Sequence, residues 1–181
     1  AVQTRLAVQG QLGTLTIGFT QSASYELLPR LIALHHARYP AVRFVFKELL
    51  IEEQLRLLES GSLDVGMVRP PVDLERLDTL TMMRDRFVLA LPANDPLARS
   101  EIVPIQALHQ RAYIAWSPIA KNYRILDRIF EDAGVRPRTF VSMSQPPAML
   151  AMVRAGLGMA IVPAAMAAIG FSGVALRSLA T

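Results

Sequence analysis

The apolar positions of this chain change period repeatedly, and each change predicts a change of element. LTIGFT, residues 15–20, is rich in β-formers and predicts a strand. After QSAS, Leu27, Leu31 and Leu34 of YELLPRLIALHHARYP recur at helical spacing. VRFVFKEL (42–49) alternates apolar and polar as a strand does, and IEEQLRLLES then sets Ile51, Leu55 and Leu58 on one helical face. Gly61 stands where a left-handed C-terminal cap belongs, and LDVGMV reads as a short, nearly all-apolar strand. This β-α-β-α-β rhythm demands right-handed crossovers and a parallel sheet covered by helices.

Pro70 and Pro71 stop the third strand, after which LDTLTMM and RFVLALP read as extended and PANDPLAR as a turn. A second alternation runs through AYIAW (112–116), the helical NYRILDRIFEDAG with its Gly134 cap, extended RTFVSM, the helical PPAMLAMVRAG capped by Gly156, and buried GMAIVP. Two α/β units are implied, with joints near residues 70–82 and 156–163, and no tandem repeat is visible. The uncharged stretch 155–176 is long enough to span a bilayer. Its four glycines, its proline and its many alanines predict instead a buried strand, a turn and a short helix inside a globular core.

Composition narrows the classes. With 52% hydrophobic and 19% charged residues, the 181-residue chain can fill a core, as one ordinary domain or two small lobes. The net charge is +4 and the isoelectric point near 10.0, yet the bases stand singly or beside acids, as in ERLD, RDR and DRIFED. A nucleic-acid footprint needs a clustered stripe, so direct DNA or RNA binding by this segment is not expected. The absence of cysteine excludes disulfides and thiolate chemistry and fits a reducing cytoplasm. The start, AVQTRLAVQGQLG, carries no charged-then-apolar leader and reads as that of a mature protein or of a piece of a longer one.

Enzyme signatures are missing: there is no GxSxG, no HExxH and no phosphate-cradling loop with Lys and Ser or Thr. AGLGMAI precedes a strand where a dinucleotide fingerprint would follow one. His35 and His36 are adjacent and point to different parts of a helix surface, and His109 is distant, so solvated or capping histidines are expected rather than a catalytic or metal site. Glu52 and Glu53 near a helix start are favoured by the dipole alone. No catalytic residue, metal ligand or cofactor is predicted.

The positive evidence is positional, because open parallel sheets bind ligands beyond the carboxyl ends of their strands. Thr20, Gln21 and Ser22 follow the first strand and open a helix whose free NH groups could receive an anion. Glu48, Leu49, Leu50 and Ile51 follow the second, and Arg69 the third. Arginine presents a planar fork suited to a carboxylate, phosphate or sulfonate. Two plainer readings stay open: Ser22 as an N-cap, and Arg69 in an internal salt bridge with an acid such as Glu48. In the second unit Ser117 follows AYIAW at the same kind of strand end. Trp116 could wall an aromatic ligand, although core packing is the commoner use of such a residue.

In the order and spacing of three segments the chain resembles the effector-binding domain of LysR-type transcriptional regulators. They are LTIGFTQSASYELLPRLIALHHARYPAVRF, ESGSLDVGMVR and MLAMVRAGLGMAIVPAAMA; SYELLPR resembles the branch that senses aromatic-degradation intermediates. The resemblance covers nearly the whole chain. It implies an α/β fold of the periplasmic-binding-protein type II: two Rossmann-like lobes with mainly parallel sheets, joined by two crossing strands, and an effector held between them. It further implies residues 1–12 as the end of a linker, 13–75 with a truncated 162–181 as the first lobe, and 76–161 as the second. On this likeness Ser22 matches a ligand-contacting position, Arg69 a position that is arginine in some aromatic-sensing members, and Ser117 a polar loop position. Ile51 departs from the threonine that many members carry. A small organic anion, aromatic if the likeness to the aromatic-sensing branch holds, is implied as partner, together with a cytoplasmic homodimer or tetramer that touches DNA through a separate N-terminal winged helix-turn-helix, with no membrane contact. An extracytoplasmic solute-binding protein of the same fold, an enzyme on this scaffold and a bare oligomerisation module are the rival classes.

Overall fold

The computed structural model describes residues 12–68, 72 and 77–180. The chain divides into two compact units, Ala1–Met83 and Arg84–Thr181.

In the first unit β1 (Gly13–Phe19), β2 (Val42–Glu48) and β3 (Val65–Met67) form a parallel sheet in the order β2-β1-β3. The crossovers carry α1 (Leu27–Arg38) and α2 (Ile51–Glu59). This is the alternation that the apolar pattern predicts, with the first strand central. Glu52 and Glu53 occupy the first turn of α2, where the helix dipole favours them. Beyond its last turn Gly61 takes a φ of 70°, the left-handed reversal that returns the chain through buried Leu63 into β3. On α1 the buried residue is Leu28, whereas Leu34 is 71% exposed, so the helix is rotated from the face the leucine spacing suggested. His35 is packed rather than solvated: its ring stands 4.9 Å from Phe44 and 5.0 Å from Tyr39.

Gly18 of β1 and Gly66 of β3 lie opposite each other in register. A Cβ added to Gly18 would fall 2.6 Å from Leu63 Cδ2, and one on Gly66 would fall 2.8 Å from Leu58 Cδ1. The side-chain oxygen of Gln54 would stand 3.2 Å from either. The glycine pair therefore makes a shallow slot in the sheet, and α2 seats its inner face there.

The second unit contains β4 (Phe87–Pro92), β5 (Ile102–Pro104), β6 (Ala112–Trp116), β7 (Arg138–Met143), β8 (Ala160–Pro163) and β9 (Val174–Ala180), with α3 (Lys121–Asp132) and α4 (Pro146–Arg154). Four strands run β5-β9-β4-β8, β4 being antiparallel to β8 and β9. β6 pairs with β7 in parallel, and a parallel bridge from Tyr113 to Met159 joins this pair to the residues that lead into β8. Leu89, Leu91, Ile114, Met149, Leu150, Val153 and Ile161 are almost fully buried and form the core on which α4 rests. Two prolines in the first turn of α4 cost no hydrogen bond there.

Two readings need correction. Residues 162–181 were expected in the first lobe, but β9 is hydrogen-bonded between β4 and β5, and the whole segment lies in the second unit. The joint near 156–163 is thus absent, and the chain passes between units at Met83 and Arg84. LDTLTMM, expected to be extended, contributes no strand. Pro70 and Pro71 lie outside the described residues.

Gly158 links α4 to β8 with a φ of 155°, and a Cβ there would meet the backbone oxygen of Ala112 at 2.7 Å. Met159 N donates to the same oxygen at 2.9 Å, so the strand cannot retreat without losing the bridge. Gly158→Ala is expected to destabilise the chain by about 2–4 kcal/mol, read as a lower urea midpoint. An unchanged midpoint would show that this close approach is not required.

Candidate functional site

β1 ends at Phe19, and Gln21–Ser24 then forms a single 3-10 turn. Ala23 N donates to Thr20 O at 2.9 Å, and Ser24 Oγ donates to Gln21 O at 2.6 Å. The hydroxyls of Thr20 and Ser22 stand 3.3 Å apart, both residues half-buried. This differs from the expectation of a helix opened by Thr20, Gln21 and Ser22. The four-residue turn is separate from α1, whose N-cap is Glu26, and neither hydroxyl caps a helix. One turn lacks the aligned peptides that give a helix amino end its field, so the polar offering at this strand end is a pair of hydroxyls.

The end of β2 is fastened to the end of β1, because Leu49 N donates to Phe19 O at 3.0 Å. Ile51 opens α2 and turns inward, 9% exposed, while neighbouring Leu50 is 75% exposed. Behind them lies Gln54, wholly buried, whose Nε2 donates to Leu49 O at 3.1 Å. Its Oε1 has no hydrogen-bond partner among the described residues. A buried amide with one satisfied end is uncommon and costs stability unless it fixes something; here it fixes the β2–α2 turn. The sequence reading passed Gln54 over, although Ile51, Gln54, Leu55 and Leu58 share the i, i+3, i+4, i+7 spacing of an inward face, and a polar residue on such a face is the available signal. Tyr25 is a second such group. Its phenol oxygen is buried with no hydrogen-bond partner among the described residues, and burial, aided by the charge of Glu48, raises its pKa above the ordinary tyrosine value.

Arg69 lies outside the described residues, as does any salt bridge to it. Ser117 belongs to the second unit, where it follows β6: its N donates to Met143 O at 2.8 Å, and its carbonyl accepts from Ala120 N at 2.8 Å. Beside it Trp116 is 4% exposed, and its Nε1 donates to Ile161 O at 2.7 Å, which makes it part of the core. The structure thus brings Thr20 and Ser22 together and sets the Ile51 turn against the same strand end. A pocket of about 590 Å³ opens between α3 and the β6–β7 pair, walled by Trp116, Tyr123 and Phe130, and it includes none of Thr20, Gln21, Ser22, Ile51 or Ser117. Among the described residues no group of three or more His, Cys, Asp or Glu could hold a metal, and no helix is long and apolar enough to cross a membrane.

The family model described as the LysR substrate binding domain matches residues 9–180. The chain belongs to that family. This LysR domain is 31% identical over 160 residues to the HTH-type transcriptional regulator AlsR of Bacillus subtilis (strain 168), a match covering 86% of this chain and 52% of AlsR. Full-length CbnR complexed with its target DNA superimposes with a TM-score of 0.85 at 22% identity, covering 99% of this chain and 62% of that one. The effector-binding domain of BenM with its effector benzoate gives a TM-score of 0.73 at 24% identity, over 93% of this chain and 78% of that one. The LysR domain described here thus has the periplasmic-binding-protein type II fold, mixed α/β with mainly parallel sheets. It spans about half the length of the curated relatives it matches.

Replacing the core indole by a smaller ring tests the assignment of Trp116. Trp116→Phe is expected to lower unfolding stability by about 1–3 kcal/mol, since the Ile161 carbonyl loses its donor and a gap remains. Unaltered stability in chemical denaturation would contradict a packing role.

Proposed function

We propose that this LysR domain senses a small organic anion, which engages Thr20, Gln21 and Ser22 at the end of β1, the backbone of the Ile51 turn and Arg69 after β3; Ser117, at the end of β6, is the candidate polar position of the second unit. The observation that carries the reading is the paired hydroxyls of Thr20 and Ser22, half-buried 3.3 Å apart at the carboxyl end of a central parallel strand. Membership of the family supports it, as does the benzoate held by BenM. Arg69 supplies the charge complement: a guanidinium grips a carboxylate through two parallel hydrogen bonds. With Ile51 in place of a hydroxyl-bearing residue, the second strand end offers its backbone and an apolar wall, which favours an effector with an apolar body and one charged end.

In the whole regulator, the effector acts by binding two arrangements of the protein unequally and so shifting their populations, while a ligand with equal affinity for both is silent. The signal passes to an N-terminal winged helix-turn-helix that contacts DNA, in a cytoplasmic homodimer or tetramer without catalytic activity. The solute-binding alternative is not favoured, because the matched relatives are named as transcriptional regulators.

Titrating benzoate and related small organic acids into the chain by calorimetry tests the site. Arg69→Ala is expected to weaken binding by about 10–100-fold and Ser22→Ala by about 3–10-fold, as removal of a charged and a neutral hydrogen-bond partner requires. Undiminished affinity in both variants would remove the strand ends of the first unit from the effector site.

A further inference from the structure

A pocket of about 530 Å³ lies wholly within the second unit, and three arginines line it from separate parts of the chain. Arg86 immediately precedes β4, Arg99 ends the 3-10 turn Pro96–Arg99, and Arg177 stands within β9. Two of them are held in place by the fold. Arg177 donates from Nε to Ala98 O and from Nη1 to Leu176 O, each at 2.7 Å, and Arg86 Nη1 donates to Ser178 Oγ at 3.1 Å. Among the described residues Glu101 is the one carboxylate on the wall, and it forms no ion pair with any of the three.

Arg86 and Arg99 are exposed and Arg177 half-buried, so water screens their mutual repulsion, and an anion entering the pocket is attracted by all three. The volume falls in the range of small-molecule sites. Guanidinium groups supplied by three separate parts of the chain suit an ion with several oxygens better than a single carboxylate, since each keeps N–H donors beyond those given to Ala98, Leu176 and Ser178. None of Thr20, Gln21, Ser22, Ile51 or Ser117 lines this pocket.

We propose that the Arg86–Arg99–Arg177 pocket is a second ligand site, specific for a small multivalent oxyanion such as a phosphate ester or a polycarboxylate. An occupant ties the residue that leads into β4, the turn after it and the middle of β9 through one ion. It therefore stabilises the second unit by mass action, independently of an effector at the strand ends of the first.

The test uses the 181-residue chain at low ionic strength, with sodium pyrophosphate and citrate as separate calorimetric probes. Saturable, salt-sensitive binding of at least one probe is expected. Arg99→Gln, which removes an exposed charge without breaking a bond of the fold, is expected to weaken it about fivefold or more, and Glu101→Gln to tighten it about twofold or more. Ser22→Ala should leave it unchanged, which separates this pocket from the first unit's strand ends. Pyrophosphate preference assigns a phosphate-bearing ligand and citrate preference a polycarboxylate. Absence of binding by both probes, or an affinity that Arg99→Gln does not alter, overturns the proposal.

Discussion

The first unit depends on how closely α2 can approach its sheet. Gly18 and Gly66 face each other across β1 and β3, and a Cβ on either would press on the end of Leu63 or Leu58 and on Gln54, which would have to shift. Into the space they leave comes Gln54, buried completely, with one end of its amide bonded to the carbonyl of Leu49. A buried amide is a costly filler for such a slot, and a leucine would fill it without an unpaired acceptor. What the glutamine adds is direction: it holds the turn between β2 and α2 against the end of β1, where Leu49 N already meets Phe19 O. The clamp fixes the backbone before Ile51 beside Phe19, the residue from which the chain runs on into Thr20 and Ser22.

The second unit repeats the device of a central parallel strand but encloses it differently. β6 is flanked by β7 and by the residues that enter β8, and Trp116 at its end is tied into the core through the Ile161 carbonyl. The antiparallel β4, with β9 and β5 beyond it, completes the sheet. Arginine does two jobs here. Arg177 braces Ala98 and Leu176 from within a strand, and with Arg86 and Arg99 it gives one pocket a positive wall.

Much of this architecture is legible in the sequence because apolar period and glycine caps are local signals. LTIGFT, VRFVFKEL, AYIAW, RTFVSM and GMAIVP all become strands, and Gly61, Gly134 and Gly156 all take positive φ where helices end. What depends on distant partners is harder to read. β9 carries Arg177 in its middle, and only its neighbours β4 and β5 make VALRSLA a strand of the second unit. The turn at Gln21–Ser24 is built of small polar residues whose mutual hydrogen bonds outcompete a continuous helix, a contest that composition does not decide. Gln54 shares the inward spacing of Ile51, Leu55 and Leu58, but what it fills is legible only once Gly18 and Gly66 are known to pair opposite it.

Amide hydrogen exchange tests the clamp most directly. In the wild-type chain the Leu49 amide, bonded to Phe19 O, is predicted to exchange nearly as slowly as that of Ile17 in the middle of β1. In Gln54→Leu, which keeps the slot filled but removes the amide, Leu49 and its neighbours should exchange about tenfold faster while Ile17 stays protected, the signature of a locally loosened turn. Equal protection of Leu49 in both proteins, or a uniform change across the sheet, would contradict the claim that Gln54 sets the strand ends.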